Sequence, residues 1–416
     1  MNQNSNRQDK EPVALLWDES FLWGVMAVRA LKKAALPFKL IRSEDIKKGA
    51  LSNYRMLFVP GGWASNKMKT LGEDGAGAIR SFVSSGGSYL GLCGGAGLAT
   101  QDGIGIINIS RMPTRERVPS FSGRIRLRTD DHKIWNGLKD KVVHAWWPSQ
   151  FVVGDGSVKT LATYVEAMPD AFSSDINVGD ITSSEEWEKL ETLYDINLNP
   201  SRLFGQPAVV ESAYGSGKVL LSLVHFDSPD DENGLVMLKN LWQYLAGAEP
   251  SVSQKHAETK SPLAPQRQSD ISRLEAITKH IIEFGERNFL WFWRNPMLLQ
   301  WRRGVRGLEY CTLYMLLKEC AAVSEDRNPV STTQAERMTK LRGLLIPFVK
   351  DAKNLLFKER IAMQQGHITY EKCSDPEIQA LRNDLFSSSK SYGGRFKELL
   401  DEIDALLFEL IKKSYD

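Results

Sequence analysis

The stretch Ser85-Gly86-Gly87-Ser88-Tyr89-Leu90-Gly91-Leu92-Cys93-Gly94-Gly95-Ala96-Gly97-Leu98-Ala99 limits what this chain can fold into more than any other. A short apolar strand, Tyr89 to Leu92, runs into a cysteine, with Gly91 and Gly95 two positions away on either side. The small residues from Gly94 to Ala99 suit the start of a tightly packed helix. This is the pattern of a nucleophile elbow, a sharp strand-to-helix turn that strains one backbone position and admits only very small neighbours. Such a turn lifts the sulfur above a sheet and sets it at a helix N-terminus, where the dipole and free N–H groups favour thiolate. A cysteine in a glycine-rich turn is also a common small core residue, and spacing alone leaves the two readings level.

The elements before the elbow bear on that choice. Val13 to Trp17 is almost wholly apolar and predicts a strand buried on both faces. The pattern then predicts a helix over 21–35, a strand over 38–41, a short helix over 44–51 and a strand over 56–59 closed by Pro60-Gly61-Gly62. A helix over 76–84 leads to the elbow strand. Alternation of this kind implies βαβ units, hence a mainly parallel sheet sandwiched by helices. Functional groups in such sheets gather at the carboxyl ends of the strands. Asp18, Pro60-Gly61-Gly62 and Cys93 all fall there.

The middle of the region changes character. Arg124-Ile125-Arg126-Leu127-Arg128 alternates as a half-exposed antiparallel strand does. Those arginines, with Arg111, Arg115 and Arg117 upstream, suit an anionic ligand, although charged runs more often face water. Trp146 and Trp147 are adjacent and suit either a pocket wall or the core. A strand is expected over 158–166. A polar excursion over 168–205 is expected to hold a capped helix over 184–194 and to be an insertion able to cover the cleft. Strands over 208–211 and 219–224 flank a tight turn, and the second ends at His225-Phe226-Asp227. An imidazole there can take the thiol proton from a neighbouring strand, and Asp227, two residues on, can hold its tautomer. A lone strand-end histidine is more often bonded to backbone; beside the elbow, the catalytic reading takes precedence.

Residues 13–247 resemble the class I glutamine amidotransferase-like superfamily, and within it the biotin-protein ligase N-terminal-like domain. Four segments carry the resemblance: Phe58-Val59-Pro60-Gly61-Gly62, Gly91-Leu92-Cys93-Gly94-Gly95-Ala96, Asp131-His132-Lys133-Ile134-Trp135-Asn136-Gly137-Leu138, and Gly217 to Asp227. The resemblance implies a flavodoxin-like α/β fold with Cys93 as nucleophile, His225 as base and Asp227 as orienting acid. It also implies an oxyanion hole from the N–H groups of Gly62 or Trp63 and of Gly94. The family usually has Pro and then Glu after the histidine; here Phe226 and Asp227 stand there, so the carboxylate is one methylene shorter. Members that hydrolyse glutamine commonly carry a glutamine four residues after the nucleophile. This chain has Gly97, which implies a roomier, less polar floor and a substrate other than free glutamine. Asp18, Trp146 and Trp147 are the candidate substrate contacts. No ligase activity is carried over, because nothing after residue 250 looks like a glycine- and arginine-rich adenylate-binding loop.

The 416 residues are long enough for more than one domain. The expected organisation is a disordered tail over 1–10, the α/β domain over 11–248, a linker over 249–269 rich in Ser, Pro, Gln and Lys, and an all-α helical bundle over 270–416. Within the last, helices are expected over 271–288, 307–323, 332–363, 375–387 and 394–414, with 289–296 a continuation of the first, broken or kinked at Pro296. The stripe Trp291, Trp293, Trp301 with Arg294, Arg302, Arg303 and Arg306 suits a partner or a membrane surface, and better suits core with a basic edge. A formal net charge of +2 argues against bulk attraction to nucleic acid, and four scattered cysteines argue against a disulfide framework or zinc site. The polar first residues do not read as a secretory signal, and no apolar run spans a bilayer, so a cytoplasmic setting is expected. No metal or cofactor is expected. Two classes stay open: a cysteine hydrolase or amidase acting on a small amide or acyl compound, or a non-catalytic ligand-binding module with the helical region as an interaction arm for a protein partner.

Overall fold

The computed structural model describes residues 11–154, 156–248, 270–324, 332–366, 369, 373–388 and 391–413. The tail over 1–10 and the linker over 249–269 lie outside the described residues. The chain divides into two compact units, residues 1–255 and 256–416.

The first unit begins with β1 (Glu11–Leu16), α1 (Phe21–Lys33), β2 (Lys39–Ile41), α2 (Ser43–Lys47), β3 (Tyr54–Val59), α3 (Ala64–Ser84), β4 (Ser88–Leu92) and α4 (Gly94–Ala99). It continues with β5 (Ile109–Arg111), β6 (Phe121–Thr129), β7 (Val142–Trp146), β8 (Phe151–Val153), β9 (Lys159–Ala167), β10 (Phe172–Ser173), β11 (Ile176–Asn177) and α5 (Ser184–Tyr194). β12 (Pro207–Tyr214), β13 (Gly217–Ser222) and α6 (Glu232–Ala246) complete it. One sheet runs β11-β10-β6-β9-β12-β13-β4-β3-β1-β2, with β7 also on β6. β2, β1, β3, β4 and β13 are mutually parallel, and from β12 outward the pairing is antiparallel. The fold is therefore an α/β mixed sheet with a parallel core flanked by helices. Val13–Leu16, Met56–Val59 and all of β4 are buried, as strands covered on both faces must be.

The antiparallel half is where the solvated strand face falls. On β6, Arg124 and Arg126 pair with Asp170 and Glu166 at 2.8 and 3.2 Å, both pairs exposed. The polar excursion builds the outer edge of the sheet, since β10 pairs with β6. Its helix α5 starts where the capping box at Ser183 and Glu186 places it.

The second unit contains α7 (Asp270–Arg287), β14 (Trp291–Asn295), β15 (Leu298–Trp301), α8 (Gly307–Ser324), α9 (Thr332–Gln365), α10 (Pro376–Phe386) and α11 (Gly394–Lys412). α7 packs on α8 and α9, and α11 on α8, α9 and α10. The expected extension of α7 toward Pro296 is instead a hairpin, with Trp291 opposite Trp301 and Phe292 opposite Gln300. Asn295 Oδ1 accepts from the N–H groups of Met297 and Leu298, at 2.9 Å each, and turns the chain at Asn295-Pro296. The aromatic residues there favour a pleated strand over a helix. Among the described residues no helix is long and apolar enough to cross a membrane.

Candidate active site

β4 ends at Leu92 and α4 starts at Gly94, so Cys93 is the whole of the turn between them. Its N–H donates to the Ser222 carbonyl at 2.8 Å, which ties it to the end of β13. Its φ of +48° and ψ of −103° lie where L-residues go only under constraint. A Cβ on Gly94 would sit 1.8 Å from the Gly62 carbonyl oxygen and 3.0 Å from the Gly62 nitrogen. Those are backbone atoms and cannot swing aside, so only glycine lets the elbow lie against the Pro60-Gly61-Gly62 turn. Gly62 has φ +115°. Among the described residues, the N–H groups of Gly62 and Gly94 donate to no other backbone group. Trp63 is the residue preceding α3.

His225 follows β13 and is fully buried. Its N–H donates to the His144 carbonyl at 2.7 Å, so the middle of β7 holds its backbone. Its Nδ1 lies 2.9 Å from Asp227 Oδ1, and the Trp23 ring packs against it at 4.7 Å between centroids. Nε2 is buried without an aligned hydrogen-bond partner. The Cys93 sulfur is nonetheless close enough to act on the imidazole by hydrogen bonding and by charge. Loose alignment of nucleophile and base is usual in an unliganded site. Burial pushes the imidazole pKa down; the Asp227 carboxylate and then Cys93 outweigh it and raise it to about 10. The protonated imidazole is thus the favoured form beside the sulfur.

The three candidate substrate contacts are placed differently. Asp18 stands at the end of β1, but its carboxylate is engaged within the protein: Oδ1 meets Arg42 Nη1 at 2.8 Å and Oδ2 accepts from the Ser43 N–H at 2.6 Å. Trp146 is buried, donates from Nε1 to Ser228 Oγ at 2.7 Å, and turns its carbonyl oxygen to Cys93 Sγ at 3.9 Å. Trp147 is half-buried at φ +51° and meets Trp23 edge-on at 6.1 Å. The floor at Gly97 is not an open apolar space. Arg111 lies over it, with Nη1 and Cδ 3.4 and 3.5 Å from where a Cβ would be.

Three residues at the site escaped sequence reasoning. Trp23, on α1, covers the His225 ring. Lys67 is 1% exposed beside the Gly62 turn and donates to the Asp18 carbonyl and Ser20 Oγ at 3.1 and 2.6 Å. The signal for it was present: Lys67, Leu71, Gly75, Ile79 and Val83 occupy one buried stripe of α3. His144 forms a second histidine–carboxylate pair, Nδ1 to Asp231 Oδ2 at 2.8 Å, and stacks on Trp146. Among the described residues no cluster of three or more histidine, cysteine or acidic side chains could hold a metal ion.

A parallel-core α/β sheet with a strained cysteine at its carboxyl edge, backed by a buried histidine–aspartate pair, defines the class of domain. Residues 33–103 match the family model described as biotin-protein ligase, N terminal. That stretch holds the Gly62 turn and Cys93, while His225 and Asp227 lie beyond it. No curated protein matches the chain. Similar solved structures include one described as a glutamine amidotransferase, 20% identical, covering 57% of this chain and 99% of its own at TM-score 0.37. PurLQS from Thermotoga maritima is 15% identical over 56% of this chain and 99% of its own, at TM-score 0.38. A beta-galactosidase from Bacillus circulans sp. alkalophilus is 16% identical over 58% of this chain and 32% of its own, at TM-score 0.36.

Proposed function

We propose that the first unit is a cysteine hydrolase or amidase in which Cys93 attacks a small amide or acyl compound. The observation that carries this reading is the buried His225, bonded to Asp227 through Nδ1, with a strained Cys93 near enough to act on its charge. In the proposed reaction the Cys93 sulfur adds to the carbonyl carbon, and the N–H groups of Gly62 or Trp63 and of Gly94 receive the oxyanion. The His225 imidazolium gives its proton to the departing amine, which leaves a thioester on Cys93. His225, now neutral, takes a proton from water; the hydroxide adds to the thioester and the acid departs as the thiol is restored. Asp227 holds the tautomer throughout.

The substrate we infer is not free glutamine. Gly97 offers no side chain to a small polar amide, and the group that borders its place is the Arg111 guanidinium, with Nη1 3.4 Å from where a Cβ would be. Labelling the whole chain with a panel of cysteine-directed acyl probes tests the reading, with Cys93→Ala as control. Acylation that the control abolishes is the expected result, and a chain no probe labels at Cys93 would sink it. Glutamate release from glutamine that disappears in Cys93→Ala would overturn the exclusion of glutamine.

A further inference from the structure

Among the described residues, two arginines approach the elbow without a carboxylate to meet them. Arg111 ends β5, opposite Phe151 of β8, and crosses α4 at Gly97, four residues past Cys93. Arg117 lies in the loop before β6 and donates from Nη1 to Ser149 Oγ at 2.7 Å and from Nη2 to Thr114 Oγ1 at 3.2 Å. Asn197 Nδ2 fixes that loop through the carbonyls of Arg115 and Arg117, at 3.1 and 3.3 Å. The Nε–H groups of Arg111 and Arg117 are both buried with no acceptor among the described residues. Burial and then the charge of Arg111 lower the Arg117 pKa, while Cys93 opposes them, so both cations and the sulfur share one electrostatic neighbourhood. Holding two like charges together in a half-buried place is costly unless an anion lies between them.

We propose that Arg111 and Arg117 bind an oxyanion, a carboxylate or a phosphate, carried by the acyl compound that Cys93 attacks. The proposal rests on the hydrolase reading and names its substrate class. Guanidinium forks match the planar or tetrahedral oxygens of such groups, and the donors left to give are the Nη groups of Arg111 and the second N–H on each Nη of Arg117, whose first bonds go to Ser149 and Thr114. The same pair disfavours an ammonium group close to the anion, which separates this class from a free amino acid such as glutamine. The compound is an amide or ester with a second, negatively charged end.

Alkylation of Cys93 in the full chain tests this without a substrate. Iodoacetate and iodoacetamide attack the same sulfur and differ in charge. The expected result is an iodoacetate-to-iodoacetamide rate ratio at least about tenfold higher in the wild type than in Arg111→Gln and Arg117→Gln, the weight of one modest ionic contact. Arg111→Lys, which keeps the charge without the fork, should retain part of the preference. A ratio equal in the wild type and all three variants overturns the proposal. The ratio is defined even for a slow thiol, so the two readings fail separately: slow iodoacetamide alkylation sinks the hydrolase, and an unchanged ratio sinks the anion site. Protection from iodoacetate by glutarate at lower concentration than inorganic phosphate assigns a carboxylate, and the reverse order assigns a phosphate. Protection by neither counts against the site.

Discussion

Cys93 and Cys311 both point at backbone carbonyls, yet their surroundings set them apart. Cys311 is fully buried, and burial pushes its thiol up to about 12; Cys320 is buried and raised as well. Cys93 is only half-buried and faces a protonated imidazole. Iodoacetamide at neutral pH should therefore modify Cys93 at least about a hundredfold faster than Cys311 or Cys320, as mass mapping of the alkylated chain would show. Equal rates would contradict the elbow's electrostatics. The His225–Asp227 pair makes a second prediction. Because the folded-state pKa of His225 lies above its ordinary 6.5, near 10, the linked stability is complete below about pH 6.5 and lost as pH rises toward about 10. Asp227→Asn should cost about 3 kcal/mol or more near pH 6, with the gap to wild type narrowing in alkali, measured by urea unfolding at several pH values. A gap independent of pH would show that His225 is not the titrating partner. The cysteine, the glycine turn and the histidine–aspartate pair were legible in the sequence because each has a short local signature. Trp23 was not, since its role comes from distant chain segments packing together, and Lys67 showed only as one position of the apolar stripe on α3, its bonds to Asp18 and Ser20 being set by the fold.

At the scale of elements, what could be read depended on which force sets each boundary. α5 was legible to the residue because Ser183 and Glu186 exchange hydrogen bonds within one turn. Ser183→Ala should cost about 1 kcal/mol, seen as a lower urea midpoint. α3 runs twelve residues earlier than its sequence suggested, from Ala64, and bends at Gly72 where φ is +61°. Its glycines weaken helix propensity, and packing of the Lys67–Leu71–Ile79 stripe overrides it. The hairpin of β14 and β15 was hidden for the same reason: Trp291 is buried with its Nε1 donating to the Ile282 carbonyl at 2.9 Å, a contact spacing does not reveal. Within the second unit, Arg382 on α10 is fully buried and donates to Glu359 of α9 and to the carbonyls of Thr369 and Gly304 at 2.8–2.9 Å. Arg382→Ala would take from the buried Glu359 carboxylate its hydrogen-bonded arginine and should destabilise the helical unit by about 3–5 kcal/mol, by thermal melting. A loss under about 1 kcal/mol would mean that water reaches Glu359.

For the whole molecule, the chain divides into two compact units, and α6 ends in a left-handed Gly247 at φ +61°. We expect residues 1–255 to fold alone and keep the reactive Cys93, which circular dichroism and alkylation of that piece would check; an insoluble piece would mean that the helical unit completes its core. The order of strands has another consequence, for how the chain comes together in time. β13, the last strand of its sheet in sequence, is inserted at the centre, between β4 and β12. Until it arrives, the parallel strands β2, β1, β3 and β4 and the antiparallel strands beginning at β12 are two unconnected half-sheets. Pairing Ser88 with Lys218 closes a loop of well over a hundred residues, a slow step by topology. During synthesis the thiol emerges long before the imidazole that serves it, so a nascent chain carries an unassisted Cys93 until the sheet is joined.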